Sequence, residues 1–141
     1  MTRKFLTAFW FAGLAAALTA AGTDSGTAPA VPLSKTKGAK LYAQSCASCH
    51  MADGGGIPNV QPGLVGSPVV AGDPATLLKL LLQGPAAVLP PPRPHYDNEM
   101  PAFATWKDAD LAAVATYIRQ KFGSGAAPIV PAQVAAARSA R

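Results

Sequence analysis

The pentapeptide Cys46-Ala47-Ser48-Cys49-His50 constrains this chain more than any other feature, because it holds both cysteines and one of the two histidines among 141 residues. Two thiols separated by two residues and followed at once by an imidazole suit covalent haem attachment. Each thiol adds to one vinyl group to give a thioether, and the adjacent histidine is then held where a ring nitrogen can ligate the iron from one face. A closed zinc site needs four ligands, and beyond the motif the only other Cys or His is His95, so such a site cannot be assembled. A thioredoxin-like pair would follow a strand at the head of a helix, and no strand-like alternation of apolar residues precedes Cys46. A plain disulfide is the alternative left beside haem.

The amino terminus reads as an export signal. Arg3 and Lys4 precede an apolar stretch from Phe5 to Ala20, which leads into small residues at Ala20, Ala21 and Gly22. Residues 1–22 are therefore expected to be a signal peptide, with an uncleaved membrane anchor as the alternative because the run approaches spanning length. Removing them leaves ten basic against seven acidic residues, a net charge of +3. The positive charges are scattered, with no stripe interleaved with aromatics, which argues against a nucleic-acid partner. Lys35, Lys37 and Lys40 could form a small basic patch, although a solvated surface accounts for them as well.

Residues 23–33 are small, polar and proline-containing and read as a flexible linker. The folded domain is expected over residues 34–123. Its first helix starts at Ser34 or Thr36 and runs into the cysteine motif, with Gly38, Tyr42 and Cys46 on one face that points at the cofactor. Gly54, Gly55 and Gly56 break that helix, and a loop without regular period continues to Gly72. Asp73-Pro74 opens a second helix that runs to Gln83 and stops at Gly84. Five prolines make Pro85 to Asn98 a wrapping loop. Thr105 with Asp108 reads as a capping box for a last helix through Leu111, Val114, Ala115, Ile118 and Phe122 to Gly123. In the tail, residues 124–141, Pro131 offers the start of a short helix.

Haem iron ligated by His50 has a second axial position to fill. Met1 lies in the signal, and Met51 adjoins the histidine and cannot reach around the ring. Met100 is left, stiffened by Pro101 at the end of the wrapping loop, with His95 as its rival.

Taken with this motif, the helix Gly38-Ala39-Lys40-Leu41-Tyr42, the tripeptide Pro62-Gly63-Leu64, Met100, and Val114 with Tyr117 on the last helix occur in the order found in the class I monohaem cytochromes c, which residues 34–123 resemble. The resemblance implies an all-α fold of three to five helices wrapped around one covalently bound haem c. It further implies that Gly38 permits close crossing of the first and last helices, with an aromatic packed there. It assigns Cys46 and Cys49 to the thioethers, His50 and Met100 to the iron, and the Pro62 carbonyl to the hydrogen bond that fixes the His50 ring. Arg93, Tyr96 and Trp106 are candidate donors to haem propionates.

The function implied is single-electron transfer without catalysis of its own. Details from Pro62 to Pro74, around Met100 and in the tail are similar to cytochrome subunits of bacterial periplasmic or membrane-bound dehydrogenases. Such a subunit takes electrons from a dehydrogenase and delivers them to a respiratory oxidase or another cytochrome. The expected location is the periplasm, with membrane association through a partner or an uncleaved amino terminus. The proline run at Pro90, Pro91 and Pro92, and Lys107 where a small capping residue is frequent, depart from the commonest form of those subunits. A freely diffusing periplasmic carrier and a haem-based ligand sensor are the alternatives.

Overall fold

The computed structural model describes residues 36–89, 96 and 98–140. The expected signal peptide and linker, Ser34, Lys35, the proline run, Arg93 and His95 lie outside the described residues. Within them the chain is helical, and its only β pairing is an isolated bridge between Ile57 and Gln61. None of the described helices is long and apolar enough to cross a membrane.

Helix α1, Lys37–Ser45, is capped by Thr36, whose hydroxyl accepts from the Ala39 amide. A turn at Cys46 separates it from a single turn, α2, Ala47–His50. This helical run ends earlier than the three glycines: Met51 takes φ 64°, a left-handed conformation, and its carbonyl accepts a 2.7 Å hydrogen bond from the Tyr42 hydroxyl. The loop that follows is also not wholly irregular. Pro68 at a first helical position opens the short α3, Pro68–Ala71, a helix too brief to leave a periodic apolar pattern.

Helix α4, Pro74–Gln83, begins with Asp73 accepting from the Ala75 amide and ends at Gly84, whose φ of 85° favours glycine. A 3₁₀ turn, Pro85–Ala87, follows. Helix α5, Asp108–Phe122, corrects the expected capping box: its N-cap is Lys107, which makes no side-chain cap, and Thr105 lies in the preceding turn. Asp108 and Asp110 instead stand in the first turn, where negative charge complements the helix dipole. Helix α6, Pro131–Ser139, starts at Pro131, and Gln133 accepts from the Val130 amide. Among the described residues, four of the six α-helices have nine residues or more.

Helix α5 passes between two apolar clusters. On one side Ala39, Tyr42, Cys46, Val70, Val114, Tyr117, Ile118 and Phe122 pack together. On the other, Leu77, Leu78, Leu81 and Leu82 of α4 meet Leu111, Ala112 and Ala115 of α5, with Ile129 and Val134 from the tail. Trp106 touches both clusters. The crossing of α1 and α5 is close enough to require glycine: a Cβ on Gly38 would lie 2.1 Å from the Ala113 carbonyl oxygen and 2.8 Å from the Tyr117 Cβ. The rings of Tyr42, Tyr117 and Phe122 surround this contact, with centroids 5.2 to 6.0 Å apart. Thus the Gly38 and Tyr42 face of α1 packs on α5, and within it only Cys46 reaches the cleft described below.

Two arginines tie the tail in place. Arg119, 4% exposed, donates to the carbonyls of Val70, Gly72 and Ala127, which satisfies a charge that would be costly to bury alone. Arg138 pairs with Asp108 at 2.7 Å and donates to the carbonyls of Ala104 and Trp106.

Candidate functional site

A cleft of about 480 Å³ opens between the two clusters. It lies within the roughly 300–1,000 Å³ usual for cofactor sites. Cys46, His50, Pro62, Tyr96 and Met100 all line it, so residues from three separate stretches of sequence converge there. Cys49 is half-buried, one position before His50 in α2, and is not among the lining residues. Among the other residues proposed from sequence, Trp106 does not line the cleft; its ring stacks edge-on against Phe103 at 4.9 Å. Lys37 and Lys40 are both exposed, and Lys37 is ion-paired with Asp110 across the α1–α5 contact.

The strongest geometric feature is the orientation of His50. Its ring is 8% exposed, and Nδ1 lies 2.8 Å from the Pro62 carbonyl oxygen. With Nδ1 donating to that carbonyl, Nε2 is the nitrogen left with a free lone pair. The local chain explains why this proline arrives at the correct height. Gly56 has φ 66°, and a Cβ there would lie 2.6 Å from both the Gln61 carbonyl oxygen and the Pro62 carbonyl carbon. Gly56 also donates to the His50 carbonyl, while Ile57 and Gln61 exchange backbone hydrogen bonds. The loop is therefore folded tightly against the end of α2, and no side chain larger than hydrogen fits at Gly56.

The same cleft holds a different kind of group. Met100 is half-buried, lines the same cleft and packs against the Leu77–Val134 cluster. The other walls of the cleft are mainly apolar, with Leu64, Val70, Leu77, Leu81 and Ile118 contributing. Gln61 lines the cleft as well, and its Nε2 is buried without a hydrogen-bond partner among the described residues. Apolar walls, a soft sulfur, an oriented imidazole and an unmet donor fit a flat apolar macrocycle with a metal at its centre and acceptor groups at its edge.

The Cys46 thiol does not suit exchange chemistry. Burial, with a smaller contribution from neighbouring Cys49, pushes the Cys46 thiol up to about 11. A thiol so held is neutral near pH 7 and a poor thiolate nucleophile, unlike the activated cysteine of a disulfide oxidoreductase. Likewise burial, then the nearby Cys46, Tyr117 and Asp53, raises the Tyr42 phenol above its ordinary value, so it stays a hydrogen-bond donor to Met51.

Comparison with known proteins agrees with this chemistry. Residues 34–118 match the family described as cytochrome c oxidase, cbb3-type, subunit III. The cytochrome c subunit of the quinone alcohol dehydrogenase of Gluconobacter oxydans (strain 621H) is 36% identical over 98 residues, which cover 67% of this chain and 20% of that protein. The gluconate 2-dehydrogenase cytochrome c subunit of Pantoea cypripedii is 36% identical over 109 residues, 68% of this chain and 22% of that protein. Cytochrome c-552 of Thermus thermophilus is 38% identical over 90 residues, 61% of this chain and 68% of that protein. The chain thus spans about a fifth of the length of the dehydrogenase subunits it matches. It belongs to the cytochrome c family, whose cofactor is covalently bound haem c with its iron.

Proposed function

We propose that Cys46 and Cys49 tether the haem and that His50 and Met100 are its axial ligands. The bound group supplies a one-electron ferric/ferrous couple. The observation that carries this reading is the His50 Nδ1 to Pro62 hydrogen bond at 2.8 Å, in a cleft that Met100 also lines. Pro62 fixes the tautomer and plane of the ring and strengthens the Nε2 donor. Met100 supplies a neutral soft sulfur that favours the reduced state relative to a second imidazole. With both positions filled by protein, the site has no place for a substrate, so the chain performs no catalysis itself.

The chain serves as the electron-transfer subunit or partner of a bacterial dehydrogenase, taking electrons from it and passing them to a respiratory oxidase or another cytochrome. Similarity to two dehydrogenase cytochrome subunits supports this assignment. The basic and apolar pattern of residues 1–22 supports export to the periplasm.

The ligand assignment is tested by Met100→Ala. The variant should lose the methionine-to-iron charge-transfer band of the ferric protein, show a lower reduction potential and bind carbon monoxide when ferrous; survival of the band would exclude Met100. The partner assignment is tested by gel filtration of native extract, following haem absorbance and dehydrogenase activity together. Haem eluting with a larger enzyme that reduces it on addition of substrate is expected, whereas haem running alone at the size of this chain would favour a diffusing carrier.

A further inference from the structure

Arg138 lies in the last turn of α6, 38 residues from Met100, yet its guanidinium meets the loop that Met100 begins. It donates to the carbonyls of Ala104 and Trp106 and pairs with Asp108 at the start of α5. Within the same loop, the Phe103 amide donates to the Leu81 carbonyl of α4 at 2.7 Å. Met100 and Phe103 pack against the cluster to which α6 contributes Val134, fully buried, with Ala137 against it. The segment from Met100 to Asp108 is thus clamped between α4 and α6, and Arg138 is the one side chain of α6 that the structure shows bonded to its backbone.

We infer that Arg138 is a positioning residue for the distal methionine, so that α6 acts as a latch on the loop carrying Met100. The inference rests on the assignment of Met100 as iron ligand. Arginine is required by the geometry: its planar fork meets two carbonyls and a carboxylate at once, whereas a lysine ammonium on a flexible stem cannot span all three. Swinging Met100 away from the iron requires its loop to move, and the Arg138 contacts oppose that motion. An external ligand competing for the iron binds only the opened form, so its apparent affinity falls in proportion to how rarely the loop opens.

The test is titration of the ferric holoprotein with imidazole, followed by loss of the methionine band. Hydrogen bonds to charged groups are strong enough that losing even one should shift the opening equilibrium about tenfold. Arg138→Ala is expected to bind imidazole about tenfold more tightly than the parent, and Arg138→Lys, which keeps the charge, by an intermediate factor. A change below about threefold in Arg138→Ala would overturn the latch whatever happens to its melting temperature, because a merely structural role lowers stability without changing ligand access to a folded site. Should Arg138→Ala fail to fold, Arg138→Lys and Asp108→Asn carry the measurement, and parent-like imidazole affinity in both overturns it. Met100→Ala is titrated alongside. If it retains the band, the ligand assignment itself fails; if it loses the band while the Arg138 variants bind imidazole as the parent does, the assignment stands and only the latch falls.

Discussion

Tyr42 shows how much one side chain can hold in this protein. Its ring joins the aromatic cluster at the α1–α5 crossing, and its hydroxyl fixes the carbonyl of Met51, the left-handed residue that ends α2 directly after His50. Tyr42→Phe keeps the ring and removes the bond, leaving the Met51 carbonyl without that donor. A loss of about 1 kcal/mol is expected in urea unfolding of the holoprotein. The pH dependence follows from burial, which holds the folded phenol above its ordinary value of 10.0. Above pH 10.0 the unfolded chain releases this proton and the folded chain retains it, so the contribution is complete below that pH and is lost as pH rises beyond it. The parent should therefore lose stability above pH 10.0 more steeply than Tyr42→Phe; parallel profiles would refute this account. At this scale the cysteine motif leads to His50, elimination among the methionines to Met100 and the family resemblance to Pro62, and the three line one cleft. Arg119 and Arg138 could not be picked out from sequence. A basic residue in the last turn of a helix reads as a solvated dipole partner, and nothing in local spacing reveals carbonyls 32 to 49 residues away.

Among the elements, α4 shows what sequence conveys well and α5 what it conveys less well. The Asp73-Pro74 start and the Gly84 stop are local backbone chemistry, so they are legible without knowledge of the fold. At α5 the residues Thr105 and Asp108 have capping-box spacing, but the chain from Ala104 to Trp106 is bent into a turn by tertiary bonds to Arg138, and the helix starts three residues later. Four-residue α3 escaped for a different reason, since one turn is too short to display a period. The α1–α5 crossing yields the sharpest element-scale prediction. Replacing glycine by alanine inside a helix ordinarily gains up to about 1 kcal/mol from propensity. At Gly38 the new methyl would sit 2.1 Å from a backbone oxygen, which cannot rotate away as a side chain could. Gly38→Ala should instead destabilise by about 3 kcal/mol, the upper part of the usual overpacking range, as the helices are pushed apart. Denaturant midpoints compared with an alanine substitution at exposed Gln44 measure it; a stabilised Gly38→Ala would show that the crossing can relax freely.

For the whole molecule, the two apolar clusters explain why cofactor and fold are inseparable. Members of both line the cleft: Cys46, Val70 and Ile118 come from one cluster, Leu77 and Leu81 from the other. Apart from the cleft they are joined through α5 and Trp106, so neither has the continuous core that a domain of about 100 residues needs to be comfortably stable. A large apolar body bound in the cleft would remove both walls from water and connect them, and binding to the folded state alone adds stability by mass action. Covalent tethering makes that gain insensitive to free haem concentration. The double variant Cys46→Ala with Cys49→Ala, isolated without haem, should therefore lose the cooperative thermal transition of the holoprotein while keeping part of its helical circular dichroism. Loss should be graded rather than uniform. The α4–α5–α6 cluster contains the larger set of leucines and Val134, so its amides should exchange more slowly with deuterium than those of α1 and α2, which adjoin the haem-free cleft through position 46 and His50. A haem-free variant that melts as sharply and as high as the holoprotein would mean that the two clusters form a sufficient core by themselves, and that the haem is held by the fold without contributing to it.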